Sequence, residues 1–271
     1  MNTVDSSQIN DKVAFRFGAN WQRFLTSMNA ERIVGATEAM QKMLGVTSLA
    51  GKRFVDAGSG SGLSSLAAHR LGAPVVSFDY DPESVACTNE VRNQYASADS
   101  DWVVAQGSVL DQAYIESLGK FDVVYSWGVL HHTGAMWPAL ENTIRLVGPG
   151  GVLFIALYND QGWISRYWTV VKRSYVHFPW LRWPLLLLHA PYLFLLRGLV
   201  RAVTGRAQLE RGMSLWHDMR DWVGGYPFEV ARPEDVLDFM LERRYELAAL
   251  KTCGGRHGCN EFVFRKRDES N

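Results

Sequence analysis

The sequence predicts an α/β fold, a doubly wound, mostly parallel, seven-stranded sheet with helices on both faces and a long insertion after the fifth strand. Three observations predict it. Between Lys52 and Tyr158, short apolar runs of strand length alternate with segments whose apolar residues recur at helical spacing. The first of these runs breaks into glycines at alternate positions, which is how a strand turns into a helix at the ligand end of such a sheet. The alternation then stops over residues 159–228 and resumes with one helix and two strands.

In chain order, FRFGANWQRF reads as an aromatic lead-in and ERIVGATEAMQKMLG as a helix, so residues 1–51 form a helical N-terminal segment. Residues 52–158 form the core. There KRFVDAG is a buried strand, LSSLAAHRLG a helix stopped by Gly72, PVVSFDY a strand, and PESVACTNEVRNQ a helix opened by its proline. WVVAQGS and FDVVYSW are the third and fourth strands, AMWPALENTIRLV is a helix ended by GPGG, and GVLFIALY is the fifth strand. In residues 229–271, RPEDVLDFMLERR reads as a helix, followed by the strands YELAALKT and NEFVFRK. Strands and helices alternating at these lengths give a parallel sheet covered on both faces.

Hydrophobic residues make up 47% of the 271, which is enough for a sizeable core. Lys plus Arg and Asp plus Glu each number 28, so no global basic field draws in nucleic acid. Cys87, Cys253 and Cys259 form no CxxC pair, and the N-terminus lacks a basic start followed by an apolar run. Both features point to a reducing cytoplasm. Cys253, His257 and Cys259 match no standard zinc spacing, and no metal is expected.

The loop DAGSGSG places Gly58, Gly60 and Gly62 as GxGxG rather than the GxGxxG of pyrophosphate-binding turns. Asp56 at the strand end would repel a pyrophosphate, whereas an ammonium or sulfonium would be attracted. Asp79 ends the second strand, where a carboxylate accepts from both hydroxyls of a ribose. A NAD-dependent oxidoreductase and a non-catalytic cofactor-binding adaptor are the competing classes.

DAGSGSG, FDYD, GSVLD, SWGVLHHT and GPGG together resemble the motif series of class I S-adenosylmethionine-dependent methyltransferases, over roughly residues 52–158. The resemblance is nearest to small-molecule enzymes of the quinone-biosynthesis type and implies a Rossmann-like fold. It implies that Asp56 and the backbone at Gly58 and Gly60 hold the methionine part, Asp79 the ribose, and Tyr80 the adenine side. Ser59, Gly62, Ser108, Val109 and Trp127 complete the implied cofactor-binding set, with Ser108 standing where many members carry aspartate. S-adenosylhomocysteine would be the coproduct.

Methyl transfer from a sulfonium needs an aligned nucleophile and, for a hydroxyl acceptor, a nearby base. His131 and His132 follow the fourth strand, one facing the cleft and the other packing or capping the next helix, and spacing does not choose between them. The segment SWGV also lacks the Asn/Asp-Pro-Pro-aromatic motif of nucleobase amino-group methylation. Within SLWHDMRDWVGG, His217 and Asp218 are the alternative base pair.

The insertion carries no acidic residue from Trp163 to Leu209 but seven basic ones: Arg166, Lys172, Arg173, Arg182, Arg197, Arg201 and Arg206. Its apolar run WPLLLLHAPYLFLL is too short to span a bilayer. Three roles remain open: contact with a membrane surface or a lipid-like acceptor, a lid or homodimer interface, and, least favoured, RNA contact.

Overall fold

The computed structural model describes residues 28–97, 101–191, 222–254 and 258–267. Seven strands form one sheet in the order β3-β2-β1-β4-β5-β7-β6. They are β1 (Phe54–Ala57), β2 (Val75–Asp79), β3 (Trp102–Gln106), β4 (Phe121–Trp127), β5 (Val147–Tyr158), β6 (Tyr245–Lys251) and β7 (Cys259–Lys266). The first five pair in parallel, and β7 runs antiparallel between β5 and β6. The predicted mostly parallel α/β sheet is therefore present.

Period-two alternation splits the core into two layers. Phe54, Val75, Val123, Tyr125 and Phe154 point to one face, where helix α1 (Ala30–Leu44) and helix α2 (Leu63–Arg70) cover them through Ile33, Met40, Leu66 and Ala67. Val55, Phe78, Val124, Leu153 and Ile155 point to the other, under α5 (Met136–Ile144) and α7 (Pro233–Glu242). Helix α3 (Pro82–Tyr95) starts as the sequence predicts, with Pro82 in the first turn and the Asp81 side chain accepting from the Glu83 N–H.

Two details differ from the sequence expectation. A short helix α4 (Gln112–Ser117), capped by the Asp111 carboxylate on the Tyr114 N–H, fills what reads as loop after the third strand. The GPGG stretch does not lie between helix and strand but inside β5, whose register against β4 shifts between Phe121 and Val123. Glycine is needed there, because a Cβ on Gly151 would sit 2.9 Å from the Gly148 carbonyl oxygen and 3.1 Å from that of Phe121.

After β5 the chain enters α6 (Trp163–His177), turns through Pro179–Leu181, and runs back as a helical stretch over 182–191. The two helices are pinned together where the Tyr167 hydroxyl donates to His189 Nε2 at 2.6 Å, while His189 Nδ1 donates to the Leu185 carbonyl. A separate small core forms here from Trp168, Val171, Tyr175, Leu186, Val223 and Phe228. The chain then rejoins the sheet where Ala231 pairs beside Asn159. Among the described residues, no helix is long and apolar enough to cross a membrane.

Candidate active site

The glycine loop lies at the carboxyl end of β1, where β2 and β4 diverge on either side, the usual crevice of an open α/β sheet. Its conformation depends on glycine at two points. Gly58 has φ +86° and a Cβ there would meet the Val129 side chain at 2.4 Å. Gly62 has φ +77° and would place a Cβ 3.0 Å from the Thr88 backbone. Thr88 also clamps the loop to α3 through the Ser59 hydroxyl at 2.9 Å.

The loop's N–H groups are turned inward. Those of Gly58 and Ser59 donate to the Phe78 carbonyl at 2.8 and 3.1 Å, that of Gly62 to the Ser59 carbonyl at 2.8 Å, and that of Gly60 to Asp79 Oδ2 at 2.9 Å. A pyrophosphate needs these donors outward. With these four consumed, the oxygen atoms nearest the loop are those of the two carboxylates, which suit a cation.

Both acids lie beside this loop. Asp56 is 2% exposed, and its Oδ2 accepts from the Ser65 hydroxyl at 2.6 Å. Ser65 in turn accepts from the Ser77 hydroxyl at 2.7 Å, and Ser77 from the Trp102 indole N–H at 2.8 Å. An indole nitrogen only donates, so every bond in this buried chain points toward Asp56. Burial raises the Asp56 carboxyl to about 7; the Ser65 bond lowers it part of the way, and Asp79 raises it again. Asp79 is half-buried and accepts from Gly60 and, through Oδ1, from the Asp81 N–H at 2.9 Å. The Tyr80 N–H also favours the charged form, so three backbone N–H groups gather on this carboxylate. Burial raises the Asp79 carboxyl to about 6, against these bonds.

Tyr80 follows, 59% exposed. Ser108 spends one lone pair on the Leu110 N–H at 3.1 Å, Val109 packs into the core between sheet and helices, and Trp127 is half-buried against the opposite layer.

The two histidines occupy different surroundings. His131 is 0% exposed, its ring lies 3.9 Å from that of Tyr158, and its Nδ1 accepts from the Tyr158 N–H at 3.3 Å. His132 is half-buried and its Nδ1 donates to the Pro227 carbonyl at 2.7 Å, which places the ring's lone pair on Nε2. Burial lowers its pKa to about 3, opposed by the Pro227 bond and assisted by the positive Lys172, so the ring is neutral at physiological pH. His217 and Asp218 lie outside the described residues, as does His257.

The segment returning from the insertion walls this region. The Glu229 N–H donates to the His131 carbonyl at 2.9 Å, and its carboxylate caps α5 by accepting from the Met136 N–H. Lys172 is buried, donates to the Trp222 carbonyl, and lies 4.5 and 4.7 Å from the Trp222 and Phe228 ring centres. A small cavity beside Tyr158 is lined by Ser165, Trp168, Trp222 and Phe228.

Sequence reasoning did not single out Ser65, Ser77, Trp102, Thr88, Pro227 or Glu229. Two of these left a signal: Ser65 and Ser77 interrupt otherwise apolar helix and strand patterns at positions facing the core. The others depend on pairings across the fold.

A family model described as a methyltransferase domain matches residues 28–211. A ubiquinone biosynthesis O-methyltransferase from Xanthomonas oryzae pv. oryzae is 37% identical over 111 residues, 41% of this chain and 45% of that protein. One from Brucella melitensis biotype 2 is 32% identical over 111 residues, covering 41% and 43%. The chain thus spans less than half the length of these curated relatives. Among solved structures, a magnesium protoporphyrin IX methyltransferase from Synechocystis PCC 6803 with bound S-adenosylmethionine superposes with a TM-score of 0.57 at 11% identity, covering 98% of this chain and 100% of the other. A 1,6-didemethyltoxoflavin-N1-methyltransferase from Burkholderia thailandensis gives 0.53 at 12% identity, covering 99% and 93%. At such identities these two structures establish the shared fold.

Proposed function

Because the chain belongs to the methyltransferase-domain family, we propose that it transfers the methyl group of S-adenosylmethionine to a hydroxyl of a small aromatic or lipid-like acceptor. The observation that carries this reading is the polarity of the glycine loop, whose N–H groups are spent internally beside two carboxylates. The N–H groups of Gly58, Ser59, Gly60 and Gly62 are not available to the pyrophosphate of a dinucleotide, and an ionised Asp56 would repel it.

S-adenosylmethionine, when bound, supplies an electrophilic methyl group on a sulfonium. Asp56 and the backbone at Gly58 and Gly60 would hold its methionine part, Asp79 the ribose, and Tyr80 would lie beside the adenine. Ser59 and Gly62 hold the loop, while Ser108, Val109 and Trp127 would border the rest of the cofactor. Methyl transfer asks little of the protein beyond alignment, exclusion of water and a place for the acceptor's proton. His132 takes that proton on Nε2, because the Pro227 carbonyl fixes its tautomer. The His131 lone pair is directed to the Tyr158 N–H instead, making it a support for the wall behind.

Aromatic walls from Tyr158, Trp222 and Phe228 favour a flat acceptor. The curated relatives, named for O-methylation in ubiquinone biosynthesis, support a phenolic or quinol hydroxyl. The test incubates the purified chain with methyl-labelled S-adenosylmethionine and a series of catechols, quinols and amines, with products identified by mass. A labelled methyl ether is the expected product. Label on nitrogen alone, or no turnover with any hydroxyl acceptor in protein that binds S-adenosylhomocysteine, contradicts the reading.

A further inference from the structure

The insertion's helical hairpin presents an outward surface that the core does not use. At its tip Trp180 is 72% exposed and Trp183 65%, with Phe178 beside Trp180 at a ring separation of 6.1 Å. Leu187, one helical turn beyond Trp183 on the same face, is 66% exposed. The inward faces of the same helices are already satisfied by Trp168, Tyr175 and Leu186 in their own small core. Trp180 and Leu187 remain largely exposed, and a contiguous exposed apolar patch marks an interaction surface.

The charge around this patch selects the partner. Arg166 and Arg173 are exposed on α6, and Arg182 falls between the two tip tryptophans in sequence, with its Nε donating to the Tyr175 carbonyl, while no acid occurs from Trp163 to Leu209. A second copy of the same face would bring arginine against arginine with no carboxylate from this segment to answer it. Bases of RNA stack on aromatics but gain little from exposed leucines such as Leu187. An anionic lipid surface answers each component: phosphates for the arginines, the headgroup boundary for tryptophan, and acyl chains for leucine.

We propose that the hairpin tip, Phe178 to Leu187, seats this protein peripherally on an anionic membrane. The carboxyl end of β5 leads into this hairpin through residues 159–162. The seating itself does not depend on the methyltransferase reading.

The test is co-flotation of the full chain with vesicles of phosphatidylcholine alone and of phosphatidylcholine mixed with phosphatidylglycerol, at low and high salt. Binding to the mixed vesicles only, weakened by salt, is expected. The Trp180→Ser/Trp183→Ser double variant is expected to weaken it at least about tenfold, and Arg173→Glu at least about fivefold, one basic residue near such a surface counting for about 1 kcal/mol. S-adenosylhomocysteine affinity, measured on the same samples, is expected to be unchanged in both, which separates loss of seating from loss of fold. No flotation with the mixed vesicles overturns the proposal. So does a stable dimer in sedimentation velocity that the tryptophan variant dissolves, which would give this face to a second copy.

Discussion

The glycine loop and the insertion both stand at the carboxyl end of the sheet, yet they are held by different interactions. Polar contacts fix the loop: four of its N–H groups, two carboxylates and a buried serine-tryptophan chain are joined by hydrogen bonds. The insertion is held by aromatic packing around Lys172 and by the Tyr167–His189 bond, and it keeps tryptophan outside. A ligand bound by charge and hydrogen bonds requires the first kind of rigidity, whereas the second leaves large apolar side chains such as Trp180 and Leu187 exposed. His132 sits where the two regions meet, with its ring on the Pro227 carbonyl from the insertion side and its backbone after β4.

The widest separation between the regions should come from the histidine pair. His132→Ala is expected to lower kcat by about 10² or more, the usual contribution of a general base, with S-adenosylhomocysteine affinity unchanged. His131→Ala, which removes a buried ring against Tyr158, is expected chiefly to lower the melting temperature. Steady-state kinetics and thermal melts on both variants check this, and equal kinetic losses would erase the distinction.

Next in size is Gly58→Ala. A methyl group meeting Val129 at 2.4 Å, at φ +86°, should destabilise the loop by about 2 kcal/mol and abolish tight cofactor binding. Adding Val129→Ala should restore part of the loss, since it relieves the steric share and leaves the backbone strain. Chemical denaturation of the single and double variants measures both parts.

Asp79→Asn should weaken S-adenosylhomocysteine binding at least about tenfold, the loss of a charge-assisted contact to the ribose. An unchanged dissociation constant in folded protein would move the ribose elsewhere.

The subtlest effect lies in pH. Folded-state carboxyls at about 7 for Asp56 and about 6 for Asp79 stand above their ordinary value of 3.8. The folded protein therefore holds more protons than the unfolded chain between those limits, and the ligand-free protein loses stability as pH rises through them. A cationic ligand favours the ionised acids, so its stabilising shift in melting temperature should grow from about pH 5.5 to about pH 8. Ser65→Ala removes a bond that favours the ionised Asp56 and should move the midpoint of this rise upward. A ligand shift that is flat with pH would remove Asp56 from the ligand's surroundings.

Much of the cofactor half was legible because its signals are local. Alternating apolar residues, Pro82 at a helix start and glycines after a strand are decided within a few residues, and the sheet follows them. GPGG was misplaced because its glycines answer a register shift against Phe121, a contact made across strands. The Trp102–Ser77–Ser65–Asp56 chain joins four elements, and no spacing along the sequence announces it. The same holds for the separation of His131 from His132: adjacent in sequence, they are told apart by Tyr158 and Pro227, which arrive from opposite ends of the insertion.

The most direct test of the central claim is calorimetric titration of the purified chain with S-adenosylhomocysteine and, separately, with NAD near neutral pH. The inward-turned loop amides and the acids beside them predict micromolar binding of the first and none of the second. Binding of NAD in its place would contradict the account, because it would require the loop to turn outward the N–H groups it now spends on Phe78, Ser59 and Asp79.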